Sequence, residues 1–244
     1  MYRCLVQTDA LTAERIILGR EESRHLQTVL RVREGETVEL FDGAGLTRRV
    51  AVRTVSRSGL TLAPLEAPVA HPRLPTEVTL FASVIKRMDW TIEKAAELGA
   101  TRVVPVLTER SVIRIAPDAR EAKAERWRRI AEDSVRQCDG AWLPEILPPV
   151  TFEESLPRLA AEQPVFVAAL SPSARPFREA LAARPERPAK AGYYVGPEGD
   201  FTPAELERLL DAGAIPVSLG PRILRAETAA LYGLSLLNAT YLFL

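Results

Sequence analysis

Two glycine-bearing segments contain the residue types that could do chemistry. The first, VGPEGDFT, spans residues 195–202, and the second, LGPRILRAE, spans residues 219–227. Glycines in such loops let the backbone approach a ligand closely. Arg225 would stand at a helix start, where a cation opposes the helix dipole, so helix stability does not explain its position. An ordinary tight turn for the first segment and a surface ion pair for Arg225 are the alternatives.

Each segment follows a short apolar run and precedes a predicted helix. In the first segment Thr202 is a good N-cap, Pro203 suits the first helical position, and Glu205 completes a capping box. Ligands of open α/β sheets bind beyond the carboxyl ends of the strands. We therefore expect the two loops to contribute to a single pocket.

The elements that must position these loops alternate along the second part of the chain. Apolar runs predict strands at 78–85, 102–107, 164–170, 192–195 and 215–219. Amphipathic patterns predict helices at 88–98, 119–137, 177–183, 203–212 and from about 225 to the end. This alternation is typical of a parallel sheet with helices on both faces.

The first part of the chain has a different pattern. Residues 37–41, 48–55 and 60–64 predict short strands, with Asp42-Gly43 as a hairpin-type turn, and residues 21–32 predict one helix. This pattern indicates a small β-barrel with a helix. The segment 64–75 is rich in proline and predicts a linker. We therefore expect two domains, 1–70 and 74–244.

Composition excludes several classes of protein. The formal net charge is zero, so any contact with nucleic acid must come from local patches. Two cysteines and two histidines, without the spacing of a zinc site, predict neither a disulfide scaffold nor a bound metal. The apolar segment 229–244 is shorter than a typical membrane span and predicts a buried helix. We expect a cytoplasmic protein with reduced thiols.

Together the two glycine-bearing segments resemble the second and third motifs of the SPOUT methyltransferases. Within that superfamily, the order of features is similar to the ribosomal RNA small-subunit methyltransferase E family. The similarity covers nearly the whole chain and includes KRMDWTIEKAAELG at 86–99, Gln137 and Pro144. Two positions depart from the family pattern. Asp200 stands where a second glycine is usual, and Gly140 stands where an arginine is usual.

The resemblance implies a fold, a cofactor and a reaction. The fold is a SPOUT-type parallel sheet with a C-terminal trefoil knot, preceded by a small PUA-like β-barrel domain. The reaction is the S-adenosylmethionine-dependent methylation of uridine N3 in 16S ribosomal RNA, either free or in the small subunit. The residues implied to bind the cofactor are Leu170, Gly196, Pro197, Glu198, Gly199, Leu219, Gly220, Ile223 and Leu224.

Catalytic roles are implied for Arg225 and Glu198. Uracil N3 carries a proton and is a poor nucleophile until that proton leaves. Arg225 would stabilise negative charge on a uracil oxygen, and Glu198 or Glu227 would take the proton or hold the cofactor. The sequence does not decide whether Glu198 or Glu227 takes the proton and which of them holds the cofactor.

Contacts with RNA are expected from cationic side chains. The candidates are Arg24, Arg31, Arg33, Arg48, Arg49 and Lys86. A solvated charged face is the alternative for each arginine, because Glu34, Glu36 and Glu39 dilute the positive charge. His25 fits a structural role as well as an RNA contact.

A homodimer is the expected assembly. Residues 228–244 carry no charge, and a helix with Leu231, Leu234, Leu237 and Phe243 would leave an apolar patch that a second subunit could cover. Burial within a single core is the alternative. Other functions also stay open, namely a non-catalytic RNA-binding protein or an RNA methyltransferase with another target base. A phosphate-handling enzyme is disfavoured because Glu198 and Asp200 would repel phosphate.

Overall fold

The computed structural model describes residues 1–242, which form two compact units. The first unit contains Met1–Arg73 together with Val135–Leu143, and the second contains Leu74–Ser134 together with the chain from Pro144 onward. The segment Val135–Leu143 was expected in the second domain. It folds with the first unit because the buried Arg3 guanidinium donates to its main-chain oxygens, at 3.0 Å from Val135 and at 3.0 Å from Gly140.

The first unit contains six strands and two short helices. They are β1 (Tyr2–Leu5), α1 (Thr8–Thr12), β2 (Ile16–Gly19), α2 (Arg20–Arg24), β3 (Thr37–Phe41), β4 (Leu46–Ser56), β5 (Gly59–Pro64) and β6 (Val69–Ala70). The strands form one sheet in the order β1-β3-β4-β5-β2, with β6 paired to β4. The strands β1 and β3 are parallel, and the other pairs are antiparallel. Buried side chains such as Leu18, Leu40 and Leu62 form its core.

Local patterns predicted part of this unit. The strands β3, β4 and β5 are confirmed, and the turn at Asp42-Gly43 joins β3 to β4. The sequence pattern did not predict β1 and β2, because four residues are too few to show a clear alternation of apolar and polar side chains. The helix predicted at 21–32 is shorter than expected: α2 passes into a single π-helical turn, His25–Val29, and Arg31 adopts a positive φ of 52°.

The second unit is a parallel sheet with helices. Its elements are β7 (Glu77–Ser83), α3 (Met88–Glu97), β8 (Arg102–Leu107), α4 (Arg120–Gln137, whose last turn lies in the first unit), β9 (Glu145–Ile146), β10 (Val150–Thr151), α5 (Phe152–Leu159), β11 (Val165–Ala168), β12 (Arg175–Pro176), α6 (Phe177–Ala182), β13 (Lys190–Val195), α7 (Pro203–Asp211), β14 (Ile215–Ser218) and α8 (Ala226–Tyr241). The strand order is β10-β8-β7-β13-β11-β14-β12, with β9 paired to β8, and every pair is parallel. The predicted parallel sheet is confirmed.

Apolar layers cover this sheet and fix its helices. Phe81 and Tyr194 stack at 5.3 Å between ring centroids, within a cluster that includes side chains of α5 and α7. The neighbouring Tyr193 contacts α8: its hydroxyl donates to the Ala229 main-chain oxygen at 2.9 Å. A Cβ atom on Gly233 would lie 2.1 Å from the Tyr193 ring, so the helix can approach the sheet only through glycine at this position. Burial raises the pKa of Tyr193, which keeps its hydroxyl a neutral donor.

Helix α8 buries most of its apolar residues within its own chain. Leu234, Leu237 and Tyr241 are all at most 2% exposed. Among the large apolar residues of α8 it is Tyr232, at 47% exposure, that faces outward. The broad apolar patch expected from the sequence is therefore narrower in the structure, and Phe243 lies outside the described residues. Within residues 1–242 no helix is long and apolar enough to cross a membrane.

Candidate functional site

Three loops meet at one edge of the parallel sheet. They follow β11, β13 and β14, which are neighbours, with Ala168 paired to both Val195 and Val217. Because parallel strands end at the same edge, the loops line one open cavity there. Its lining residues are Ala168, Ala169, Leu170, Val195, Gly196, Pro197, Glu198, Asp200, Val217, Ser218, Leu219, Gly220, Arg222, Ile223, Leu224, Ala226 and Ala229.

The cavity is mostly apolar, with charged groups at a few positions. Leu170 and Ile223 are 65% and 80% exposed, so they present apolar surface that the chain itself leaves uncovered. The charged lining residues are Glu198, Asp200 and Arg222. An apolar cavity with a few polar groups is typical of a small-molecule site. The single pocket predicted from the two glycine-bearing loops thus exists, and the loop after β11 forms its third side.

Two of the glycines in this cavity have a physical requirement. A Cβ atom on buried Gly196 would lie 3.2 Å from the Asp200 carboxylate and 3.2 Å from the Phe201 ring, closer than ordinary van der Waals contact. Gly220 has a φ of +121°, which a residue with a side chain rarely adopts. Close neighbours therefore require glycine at position 196, and the positive φ favours glycine at position 220.

Gly199 differs from the expectation that it lines the cavity. Its carbonyl oxygen accepts a hydrogen bond from Arg110 at 2.8 Å, and the same Arg110 nitrogen donates to the Phe201 oxygen at 3.2 Å. The atoms nearest to a Cβ atom on Gly199 would be those of the Arg110 side chain, at 3.4 Å or more. Gly199 therefore faces the loop after β8, and its glycine character is not what shapes the cavity.

The predicted capping box holds the loop after β13. Thr202 Oγ1 accepts from the Glu205 backbone at 3.2 Å, and Glu205 Oε2 accepts from the Thr202 backbone at 2.9 Å. Glu205 Oε1 also accepts from the Glu109 backbone at 2.8 Å. The capping carboxylate therefore ties α7 to the loop after β8, which the sequence pattern did not indicate.

The start of α8 presents the candidate catalytic side chains. Arg225 is the N-cap residue, with extended backbone and an exposed side chain that makes no capping hydrogen bond. Within the described residues its guanidinium has no ion-pair partner, so the surface ion pair considered as its alternative is absent from residues 1–242. Glu227 is buried and its carboxylate pairs with Arg87 at 3.5 Å. Glu198 is exposed and lines the cavity.

The cationic candidates for RNA contact fall into two groups. Arg24, Arg31 and Arg33 are exposed on the first unit, and Lys86 is exposed just after β7. Arg48 belongs to the fold instead.

Arg48 donates hydrogen bonds to three main-chain oxygens. The acceptors are Glu66 at 2.7 Å, Leu11 at 2.7 Å and Ala13 at 2.8 Å. A guanidinium bonded in this way joins segments of the first unit, so its donors are already engaged within the fold. Arg49 is exposed and forms two hydrogen bonds with the Glu66 carboxylate, which hold the pKa of Glu66 below its ordinary value.

Comparison with known proteins places the chain in a family. A model of the RNA methyltransferase domain matches residues 72–238, which is more than half of the chain. The chain belongs to the RNA methyltransferase family. A model of the RNA methyltransferase PUA domain matches residues 18–65, so the small N-terminal sheet of this family member is a PUA domain.

Relatives of this methyltransferase align along nearly its whole length. Ribosomal RNA small subunit methyltransferase E of Synechocystis sp. is 31% identical over 240 residues, covering 98% of this chain and 77% of the relative. The protein of that name from Bacillus subtilis is 30% identical over 223 residues, covering 89% and 87%. The structure of ribosomal RNA small subunit methyltransferase E from Neisseria gonorrhoeae bound to S-adenosylmethionine is similar, with a TM-score of 0.85 and 27% identity, covering 99% of this chain and 98% of that chain. The family resemblance predicted from the motifs is confirmed.

The sequence interpretation missed several residues of the site. Arg222 lines the cavity, although of the two arginines in that segment the sequence analysis assigns a role to Arg225 alone. Arg110 holds the GPEG loop from a segment that was not considered. The signal for Arg110 was its place just after a parallel strand, at the edge where the two glycine-bearing loops also lie.

Proposed function

We propose that this methyltransferase uses S-adenosylmethionine to methylate N3 of a uridine in 16S ribosomal RNA. The observation that carries the proposal is the apolar cavity built by three loops at the carboxyl ends of β11, β13 and β14. The family, and the relative crystallised with S-adenosylmethionine, supply the identity of the ligand.

The residues present fit that cofactor. The apolar walls of the cavity suit the adenine ring, and its open side leaves room for the rest of the cofactor. Gly196 and Gly220 leave backbone groups open to the ligand, with Leu219 and Leu224 forming apolar wall. The carboxylate of Glu198 is placed to attract the positive charge of a sulfonium or ammonium group. When bound, the cofactor supplies an electrophilic methyl group.

The chain's own residues must prepare the uracil. The N3 proton has to leave before or while N3 attacks the methyl carbon, and the negative charge that develops is shared by N3 and the two carbonyl oxygens of the uracil. Arg225, exposed and unpaired at the N-cap of α8, stabilises that charge. Glu198 is the candidate to accept the proton, because Glu227 is already paired with Arg87. N3 lies on the Watson–Crick edge, so the target uridine must be unpaired or flipped out of a helix.

The PUA domain supplies RNA affinity in this proposal. The exposed side chains of Arg24, Arg31 and Arg33 contact phosphates, and Lys86 does so from the methyltransferase unit. Arg49 contributes less, because its charge is shared with Glu66. Such contacts position the RNA without reading its sequence, which is left to the pocket around the target base.

The proposal extends to the fold and the assembly. We propose that the loops after β13 and β14 form a trefoil knot. The family resemblance supports this, and so does the path of α8, which follows β14 in the chain but packs against β13 and β7. A homodimer would cover the exposed apolar side chains of Ile223 and Tyr232. A protein that modifies ribosomal RNA would act in the cytoplasm.

The test is a methyl-transfer assay with the full chain. Purified protein and methyl-labelled S-adenosylmethionine are incubated with small ribosomal subunits and, separately, with free 16S RNA. We expect label in the RNA, mapped by mass spectrometry to N3 of one uridine, and a stop of reverse transcription there because N3-methylation blocks base pairing. Labelling of another atom would assign a different target base. Binding of RNA and no labelling of either substrate would favour a non-catalytic RNA-binding protein.

A further inference from the structure

Asp200 makes a connection between two of the three pocket loops. Its Oδ2 accepts a hydrogen bond from the Leu170 backbone nitrogen at 3.1 Å, and its Oδ1 accepts from the Phe201 nitrogen at 2.9 Å. Leu170 belongs to the loop after β11, and Asp200 belongs to the loop after β13. Both residues line the cavity. The carboxylate thus joins the first side of the cavity to the second.

Helix capping does not account for this carboxylate. The N-cap of α7 is Thr202, and its box with Glu205 is complete without Asp200. The backbone conformation does not explain an aspartate here either. Asp200 adopts a positive φ of 56°, where a residue with a side chain is strained. A strained aspartate that bridges two loops indicates that the side chain has a role in the cavity.

The bridge acts on the loop after β11 because the other loop is already anchored. Arg110 holds the carbonyl oxygens of Gly199 and Phe201 from the opposite side. Leu170 has little packing to hold it, since its side chain is 65% exposed. Two hydrogen bonds join this loop to the other sides of the cavity: the Ala169 nitrogen donates to the Val217 oxygen at 3.2 Å, and the Leu170 nitrogen donates to the Asp200 carboxylate at 3.1 Å.

We propose that Asp200 is a positioning residue, which sets the width of the cofactor cavity by holding the Leu170 loop against the GPEG loop. The inference rests on the proposed function, because it takes S-adenosylmethionine as the occupant. The bridge orders the cavity before the ligand binds, so less binding free energy is lost in ordering the two loops. Asp200 acts through Leu170 and is not itself a catalytic residue.

The test compares Asp200→Gly and Asp200→Asn with the wild-type protein by calorimetric titration of S-adenosylmethionine and of S-adenosylhomocysteine. Loss of both hydrogen bonds in Asp200→Gly should weaken both ligands about tenfold, a free-energy change of about 1.4 kcal/mol. Asp200→Asn should be intermediate, because its single side-chain oxygen cannot serve both amides as the carboxylate does. In turnover, the KM for the cofactor should rise while kcat at saturation is retained.

The matched control is Asp139→Gly. Asp139 is an exposed aspartate with the same left-handed backbone, φ 57°, in the first unit. It should relieve the same backbone strain and leave cofactor affinity unchanged. The melting temperature of Asp200→Gly should stay within a few degrees of wild type, because glycine tolerates this φ.

Several outcomes would overturn the inference. Unchanged affinity of Asp200→Gly would show that the bridge does not shape the cavity, and loss of folding would show that the carboxylate supports the fold instead. Weaker binding of S-adenosylmethionine alone, with S-adenosylhomocysteine unaffected, would indicate attraction between the carboxylate and the sulfonium charge rather than positioning. A wild-type protein that binds neither ligand would refute the proposed function, a result distinct from all of these.

Discussion

Gly196→Ala should damage both the fold and the cofactor cavity. The added methyl group would lie 3.2 Å from Asp200 Oδ1 and 3.2 and 3.3 Å from two ring carbons of Phe201, where ordinary contacts begin near 3.4 Å. The neighbours must therefore retreat by a few tenths of an ångström. Phe201 is 5% exposed and its ring meets Tyr194 edge-on at 5.4 Å between centroids, so the aromatic side of this contact cannot yield easily.

The expected magnitude follows from overpacking. Inserting a methyl group into a packed site costs about 1–3 kcal/mol, and each kcal/mol lowers the melting temperature of a protein of this size by about 2–4 °C. If the Asp200 carboxylate moves instead of the ring, the bridge to Leu170 breaks and S-adenosylmethionine binds more weakly. Differential scanning calorimetry and calorimetric titration of the cofactor measure the two effects on the same sample.

Gly199→Ala is the matched control for this prediction. Its methyl group would meet the Arg110 side chain at 3.4 and 3.5 Å, which is ordinary contact with a flexible partner. We expect wild-type melting and cofactor affinity. A Gly196→Ala protein that melts and binds like wild type, or a Gly199→Ala protein that is equally damaged, would refute this account of the loop.

Three further predictions concern catalysis, RNA and assembly. Arg225→Ala should lower turnover about 10²- to 10³-fold with melting within a few degrees of wild type; a large stability loss would mean that Arg225 is structural. Replacing Arg24, Arg31 and Arg33 with glutamine should weaken RNA binding and flatten its salt dependence, with cofactor affinity unchanged; unaltered RNA affinity would contradict the role of the PUA domain. Tyr232→Glu should convert a sedimenting dimer to single chains, and a wild-type protein of one-chain mass would exclude the dimer.

The structure changes which variants are informative. Leu237 is fully buried, so Leu237→Asp would unfold the chain and would not report on assembly. Deleting the residues before Leu74 would strip Val135–Leu143 of its partners in the first unit. Surface substitutions such as Tyr232→Glu and the arginine replacements avoid both problems.

The sequence by itself determined the local features of this protein. Continuous apolar runs predicted the central strands of a parallel sheet, and Thr202, Pro203 and Glu205 predicted the capping box, because each depends on residues close together in the chain. The two glycine-bearing loops were expected to share a pocket, since strands of a parallel sheet end at one edge. Family motifs supplied the methyltransferase assignment, which the comparisons confirm.

Only the tertiary structure decided which side chains face the cavity. Leu170 and Asp200 are 30 residues apart, and Arg110 and Gly199 are 89 apart, so no local pattern could pair them. The strand order places β11 beside both β13 and β14, and that order brings a third loop into the pocket. Long-range contacts of this kind turned Gly199 away from the cavity and made Asp200 a bridge, because the direction of a loop residue depends on what packs against it.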